Sequence, residues 1–330
     1  MDKKRIVMVG GGTGTHTVLR GLRHHADVID ITAIVSMSDS GGSSGRLRDE
    51  FGQLPVGDVR NALTALAADG EQYDILRKLF MYRFDRGEGL SGHNFGNLLL
   101  TALTDILGSE VKAIEAVSQI LRVSGRVIPV TTDNVNLVAE YEDGQVVVGE
   151  HDIDTLITKP SHLRIVNLSL TPQANINPKA AEALIQADLI VLGPGDLYTS
   201  ILSNCIVKGF RAALHKSKAK VAYVCNLMSK PGQTVGMNAQ EHVNEVIRYI
   251  DTIPDAVIIN STTFSPDLLA KYASEGDYPI LNNCIDGKFL VHYEPLVSEK
   301  VASVTKGDVL ERSLIRHDPD KLASVLMKII

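Results

Sequence analysis

The sequence contains few cysteines and no long apolar run. Its three cysteines, Cys205, Cys225 and Cys284, lie far apart and show neither a disulfide framework nor metal-ligand spacing. So few and so widely spaced cysteines are typical of a protein of the reducing cytosol. No stretch of about 18 apolar residues, the length that crosses a bilayer, is present, and the charged N-terminus lacks the apolar region of a signal peptide. We therefore expect a cytoplasmic protein without membrane insertion.

The chain also lacks an excess of positive charge, with 33 lysines and arginines against 39 aspartates and glutamates. The 330 residues carry a net charge of −6, which argues against nucleic acid as a partner because such binding needs a basic surface. Apolar residues make up 44% of the chain, which is enough for a sizeable core. The length fits one large α/β domain or two ordinary domains.

Glycine, by contrast, is concentrated near the N-terminus. An apolar run at 6–9 predicts a buried strand, four glycines follow between residues 10 and 14, and apolar residues then recur at helical spacing. A strand, a glycine-rich turn and a helix start expose backbone N–H groups that suit a phosphate. The turn fits neither common motif, because Thr15 replaces a glycine of the dinucleotide fingerprint and no lysine follows Gly14. A turn without a ligand is the alternative, but four glycines exceed what such a turn needs.

The second predicted strand spans residues 29–37, and a long polar loop, 38–58, follows it. A right-handed βαβ unit brings this loop and the glycine turn to one sheet edge. Asp39 in the loop is placed to accept ribose hydroxyls or to hold a cation. The next helix opens at residue 57 with Asp58 as its N-cap, and Arg60 and Asn61 lie on its first turn, off the apolar stripe.

The middle of the chain departs from the alternation of strands and helices. Helical patterns and a hairpin signal at Asp143-Gly144 lead us to interpret 71–162 as an insertion into a Rossmann-like core of residues 1–70 and 163–330. The alternation resumes after the insertion.

Two further clusters carry polar groups to the predicted crevice. The pattern S-G-H-N-x-G-N places His93 and Asn94 at a helix start and Asn97 on the polar face of that helix. A hydrogen-bonded structural histidine is the plain alternative for His93. A second glycine turn, Gly-Pro-Gly-Asp at 193–196, follows the buried run 189–192 and leads into another helix.

Taken together, these motifs resemble a known family. GGGTGTHTVLRGL, SDSGGSSGRLR, PVGDVRNAL, SGHNFGNLLL, GPGDLYTSI and NLMSKPGQT are similar to those of the bacterial gluconeogenesis factors, a branch of the CofD-like superfamily. The other branch is 2-phospho-L-lactate transferase. The resemblance implies one α/β domain over 1–330, with a mostly parallel, doubly wound, Rossmann-like sheet and an inserted helical and β-hairpin subdomain. It further implies roles in gluconeogenic growth and cell shape and binding of UDP-sugars such as UDP-N-acetylglucosamine.

The resemblance also assigns a pocket. The amides of the first glycine turn would bind the diphosphate, and Asp39 would face ribose or sugar hydroxyls. The residues assigned to ligand binding are Gly11, Gly12, Thr13, Gly14, Asp39, Gly57, Asp58, Arg60, Asn61, Asn94, Asn97, Gly193, Gly195, Asp196, Tyr198, Thr199, Asn226 and Arg316. No catalytic residue is assigned and no cofactor is required. Mg²⁺ is left open, with Asp39 or Asp196 as its contact.

Three hypotheses follow. The first is a UDP-sugar-binding regulatory protein, with its protein partner and its homo-oligomeric state left open. The second is an Mg²⁺-dependent transferase that moves a phospho-acyl group from a nucleotide diphosphate. It is weakened because Ser38-Asp39-Ser40 holds one aspartate where the transferase branch has two. The third, an NAD-type enzyme, is disfavoured because Thr15 breaks the fingerprint and Asp30 begins the second strand instead of ending it.

Overall fold

A parallel sheet forms the centre of the computed structural model, which describes residues 2–155, 163–284, 287–298 and 315–330. Its strands are β1 (Lys4–Gly10), β2 (Ile29–Val35), β3 (Arg126–Pro129), β7 (Leu189–Leu192), β8 (Lys220–Val224), β9 (Ala256–Asn260) and β10 (Leu290–Glu294). Their order across the sheet is β10-β9-β8-β7-β1-β2-β3. β1 lies between β7 and β2, and its apolar run is buried because helices cover both faces.

A small antiparallel sheet lies beside the large one. It consists of β4 (Asn136–Tyr141), β5 (Val146–Val148) and β6 (Ile165–Thr171), with β4 in the middle. The predicted hairpin at Asp143-Gly144 is present, and the Gly144 amide donates to the Tyr141 carbonyl at 2.9 Å. A short helix, α7 (Glu150–Asp154), follows β5. The mostly parallel α/β fold with a small second sheet is therefore confirmed.

The remaining helices pack on the large sheet or connect its strands. They are α1 (Gly12–Leu22), α2 (Gly42–Phe51), α3 (Gly57–Leu66), α4 (Glu71–Met81), α5 (Phe95–Leu107), α6 (Glu110–Ile120), α8 (Pro178–Gln186), α9 (Ser203–Cys205), α10 (Phe210–Lys216), α11 (Ala239–Ile250), α12 (Pro266–Ser274) and α13 (Pro319–Ile329). A 3₁₀ turn, Arg23–His25, follows α1, and a π-helical turn, Leu197–Leu202, runs directly into α9. In the described part of the chain, no helix has both the length and the apolarity needed to cross a membrane.

The stretch 38–58, which the sequence predicts to be a loop, contains α2. The loop prediction is wrong because the buried side of α2 carries hydroxyl groups as well as Leu47. The hydroxyl of Ser43 lies 3.2 Å from His93 Nδ1, and the hydroxyl of Ser44 accepts from Asn97 Nδ2 at 3.2 Å. A helix that packs on polar partners shows no apolar stripe, so its periodicity is hidden in the sequence.

The division of the chain into a core and an insertion stays a prediction. The stretch 71–162 supplies β4, β5 and α7 of the small sheet and its neighbourhood, but it also supplies β3. β3 pairs in parallel with β2 and forms one edge of the large sheet. The large sheet therefore draws one of its strands from the stretch predicted to be inserted.

Packing of α13 on α1 generates a stability prediction at Gly21. A Cβ atom there would lie 2.0 Å from the Pro319 carbonyl oxygen. Because overpacking costs about 1–3 kcal/mol, we expect Gly21→Ala to lower the free energy of unfolding by about 2 kcal/mol in denaturant titrations, although alanine favours helix. The control Gly89→Ala, where a Cβ meets nothing within 4 Å, should leave stability unchanged. Equal stability of the two variants would contradict this packing.

Candidate functional site

The two glycine turns lie against each other at the carboxyl ends of β1 and β7. A Cβ atom at Gly14 would lie 2.2 Å from the carbonyl oxygen of Pro194. A Cβ atom at Gly195 would lie 3.5 Å from the carbonyl oxygen of Gly11. The contact arises because β1 and β7 are parallel neighbours, so the turns that follow them emerge side by side. The space around these turns is called the glycine crevice below.

The Asp58 carboxylate is hydrogen-bonded to one of the backbone amides in the glycine crevice. Its Oδ1 accepts a hydrogen bond of 2.7 Å from the Gly12 amide, and a Cβ at Gly11 would come within 2.3 Å of its Oδ2. The prediction that Asp58 is a helix N-cap is wrong, because Val56 holds that position and Asp58 lies in the first turn of α3. The carboxylate instead caps α1 from a distance, where the helix dipole favours negative charge.

Further carboxylates surround Asp58. Asp39 accepts from the Gly41 amide at 2.9 Å, and a Cβ at Gly57 would lie 2.6 Å from its Oδ2. Burial, followed by the negative charge of Asp39, raises the pKa of Asp58 to about 7. The same two causes, in the same order, raise the pKa of Glu150 well above its ordinary value. Asp58 therefore keeps its proton up to about pH 7, and Glu150 holds its proton more strongly than an ordinary glutamate.

Lys230 supplies positive charge to the same crevice. Its Nζ lies 3.1 Å from Asp154 and 3.6 Å from Asp196. Burial opposes the charged form of Lys230, but the two carboxylates outweigh it and raise the pKa of the ammonium group. Burial raises the pKa of Asp196, although Lys230 opposes this shift. Gln233 also donates to Asp154 at 3.1 Å, so α7 is tied to the loop that follows β8.

Of the charged residues around Lys230, Asp196 was assigned from the sequence, whereas Glu150, Asp154 and Lys230 itself were not. Glu150 and Asp154 follow a hairpin whose pattern carries no sign of a ligand site, and their partners lie far away along the chain. Lys230 belongs to the motif NLMSKPGQT, which begins at Asn226. That motif was the one available signal for Lys230.

The second glycine turn places only some of its predicted residues at the crevice. Asn226 accepts from the Gly195 amide at 3.4 Å. Tyr198 and Thr199 are buried in the π-helical turn. The Tyr198 hydroxyl lies 3.1 Å from Glu245 of α11, and burial raises its pKa. Tyr198 is thus bonded to α11 and not to the glycine turns.

The predicted residues of α3 and α5 form a buried network behind the crevice. Arg60 donates to Asn97 at 3.2 Å and to Asn61 at 2.9 Å. Asn94 is the N-cap of α5 and accepts from the Asn97 amide. Burial, followed by the charge of Arg46, lowers the pKa of His93, which fits the structural alternative for this histidine.

The last predicted residue, Arg316, lies just after the stretch 299–314, which is outside the described residues. Its carbonyl oxygen accepts from the Ser298 amide at 2.9 Å. The neighbouring His317 forms a bridge with Val297, so this part of the chain pairs with the segment that follows β10. Arg316 as a whole is half-buried, and its ligand-binding role stays a prediction.

The described residues contain no group of three or more His, Cys, Asp or Glu side chains arranged to hold a metal ion. Mg²⁺ is commonly held by one or two carboxylates together with the phosphates of its substrate. The assignment of Asp39 or Asp196 as an Mg²⁺ contact stays a prediction.

Comparison with known proteins covers nearly the whole chain. The family described as 2-phospho-L-lactate transferase CofD matches residues 6–291. A Bacillus subtilis protein named gluconeogenesis factor is 38% identical, over 100% of this chain and 99% of its own length. A Thermotoga maritima protein, to which the same name is given provisionally, is 42% identical over 98% and 99%. The crystal structure of a UPF0052-family protein from Bacillus halodurans matches with a TM-score of 0.87 and 36% identity, over 99% of each chain.

The raised pKa of Asp58 predicts a pH-dependent stability. Because the folded protein holds this proton up to about pH 7 and the unfolded chain releases it near the ordinary pKa of 3.8, the free energy of unfolding falls as pH rises between these values. We expect Asp58→Asn to remove up to about 4 kcal/mol of this fall, because the amide oxygen still accepts from Gly12. Urea unfolding across this pH range measures the difference. Asp30→Asn, at an exposed carboxylate, is the control, and parallel pH profiles for wild type and Asp58→Asn would contradict the assignment.

Proposed function

Since the chain belongs to the CofD family and, within it, to the gluconeogenesis factors, we propose that it binds the diphosphate of a UDP-sugar in the glycine crevice. The contact between Gly14 and Pro194 is the observation that carries the proposal. This contact places the two turns side by side. Each turn has backbone amides near a helix start, so one diphosphate can reach the amides of both turns.

The charges of the crevice fit a diphosphate if the raised pKa values are taken into account. An ionised carboxylate repels phosphate, whereas a protonated carboxyl donates a hydrogen bond to a phosphate oxygen. Burial raises the pKa of Asp58, of Glu150 and of Asp196. Lys230 adds a positive charge that pairs with phosphate at the cost of its bond to Asp154.

The competition for Lys230 gives the protein a means of signalling. α7 carries Asp154, which pairs with Lys230, and its first turn is held by the His151 amide, which donates to the Ser40 hydroxyl at 2.9 Å. A diphosphate that takes over Lys230 loosens one of the attachments of α7. The ligand thereby shifts the position of α7, and a protein partner that recognises α7 would report UDP-sugar supply to gluconeogenic growth and cell shape.

Binding of UDP-N-acetylglucosamine tests this function by calorimetric titration. We expect saturable binding by the wild-type protein and a roughly tenfold loss of affinity in Lys230→Gln, because a charge-assisted bond to phosphate is removed. Lys271→Gln removes an equal charge from an exposed site of α12 and should bind like wild type. Absence of heat at millimolar ligand would end the proposal, as would equal losses in both variants.

A phospho-acyl transferase is the second candidate function, favoured by the match of residues 6–291 to the transferase family. The carboxylates of Asp39 and Asp196 would contact a cation bound to the donor diphosphate. Incubation with a nucleotide diphosphate donor, a deazaflavin acceptor and Mg²⁺ would then give product, and Asp39→Asn should abolish it. Nucleotide binding without turnover counts against the transferase and leaves the binding proposal intact.

A further inference from the structure

A second cavity lies at the far end of the helical segment 197–205, which starts at the second glycine turn. Its volume of about 590 Å³ falls within the range of small-molecule pockets. The edge of β6, the loop between α9 and α10 and the last turn of α11 line it. Three of the lining residues are the cations Lys208, Arg211 and Arg248, and none of the described lining residues is acidic. The lining of this cavity is thus positively charged, although the chain as a whole has a net charge of −6.

Two of these cations are held in place by the protein. Arg211 Nε donates to the carbonyl oxygen of Tyr249, and the Arg248 guanidinium lies 5.1 Å from the centre of the Tyr249 ring. Arg248 also donates to Glu245 at 2.9 Å, which neutralises its charge. Lys208 and Arg211 form no ion pair with any carboxylate of the described chain. Their charges are thus available to an anion, with the planar fork of Arg211 already oriented.

The rest of the lining suits hydroxyl groups. Asn167 and Ser169 lie on the exposed side of β6, and Gln173 follows this strand. Amide and hydroxyl side chains both donate and accept hydrogen bonds, as the hydroxyls of a polyol require. Leu168 and Leu170 add apolar surface between them.

We propose that this cavity binds a small phosphorylated sugar or polyol. Its phosphate lies between Lys208 and Arg211, and its hydroxyls contact Asn167, Ser169 and Gln173. The site is separate from the glycine crevice and does not rest on the proposed function. A phosphate ester is favoured over a nucleotide because Tyr249 is the one aromatic residue among the described lining residues, and its ring already lies 5.1 Å from the Arg248 guanidinium.

Amide-resolved NMR titration with glucose 6-phosphate tests the site. We expect shifts at the amides of 167–170 and 208–211, and an affinity at least about tenfold lower in the double variant Lys208→Gln, Arg211→Gln. The double variant Lys216→Gln, Lys218→Gln removes the same charge from exposed positions at the end of α10, outside the cavity. It should bind like wild type, as should Asn226→Ala in the glycine crevice.

Two simpler probes identify which part of the ligand is recognised. Glucose should not bind, and inorganic phosphate should bind more weakly than glucose 6-phosphate and shift the same amides. If inorganic phosphate bound as tightly as glucose 6-phosphate, the proposed recognition of the sugar hydroxyls would be wrong. Shifts only at the glycine turns, undiminished affinity of the Lys208/Arg211 variant, or no shift at millimolar ligand would overturn the site itself. If that variant does not fold, the position of the wild-type shifts decides between these outcomes.

Discussion

The backbones of the two glycine turns touch, and this contact exists only because Gly14 has no Cβ atom. Any side chain at this position would meet the carbonyl oxygen of Pro194 at 2.2 Å. The contact fixes the distance between the helix starts that follow β1 and β7, and so it defines the glycine crevice. The parallel pairing of these two strands sets up the approach, and glycine allows it to close.

The close approach of the backbones in the glycine crevice also determines the ionisation of its side chains. Asp58 bonds to the amide of Gly12 in the space that a side chain would otherwise fill. Because Asp58 is buried next to Asp39, it keeps its proton to about pH 7. Lys230 forms ion pairs with Asp154 and Asp196. The crevice is therefore a balanced polar site. An incoming diphosphate that binds Lys230 would compete with Asp154 and Asp196 for the ammonium group.

The sequence was informative where a feature is local. The apolar runs at 6–9 and 189–192, each followed by glycines, predicted the buried strands and their turns. The family resemblance assigned both turns to one pocket. Long-range partners could not be predicted in this way. Its position at the start of a helical pattern predicts that Asp58 is an N-cap. Its hydrogen-bond partner, the Gly12 amide, is 46 residues away along the chain. The pair Asp154 and Lys230 spans 76 residues, and no periodicity records such a contact.

Hydrogen exchange at the two glycine turns, with and without UDP-N-acetylglucosamine, tests the central claim most directly. If one diphosphate bridges the crevice, the amides of Gly14 and Gly195 should both become slower to exchange at the same ligand concentration, because both turns would contact the same group. Protection of one turn alone, or of neither at saturating ligand, would show that the two turns do not form a shared binding site.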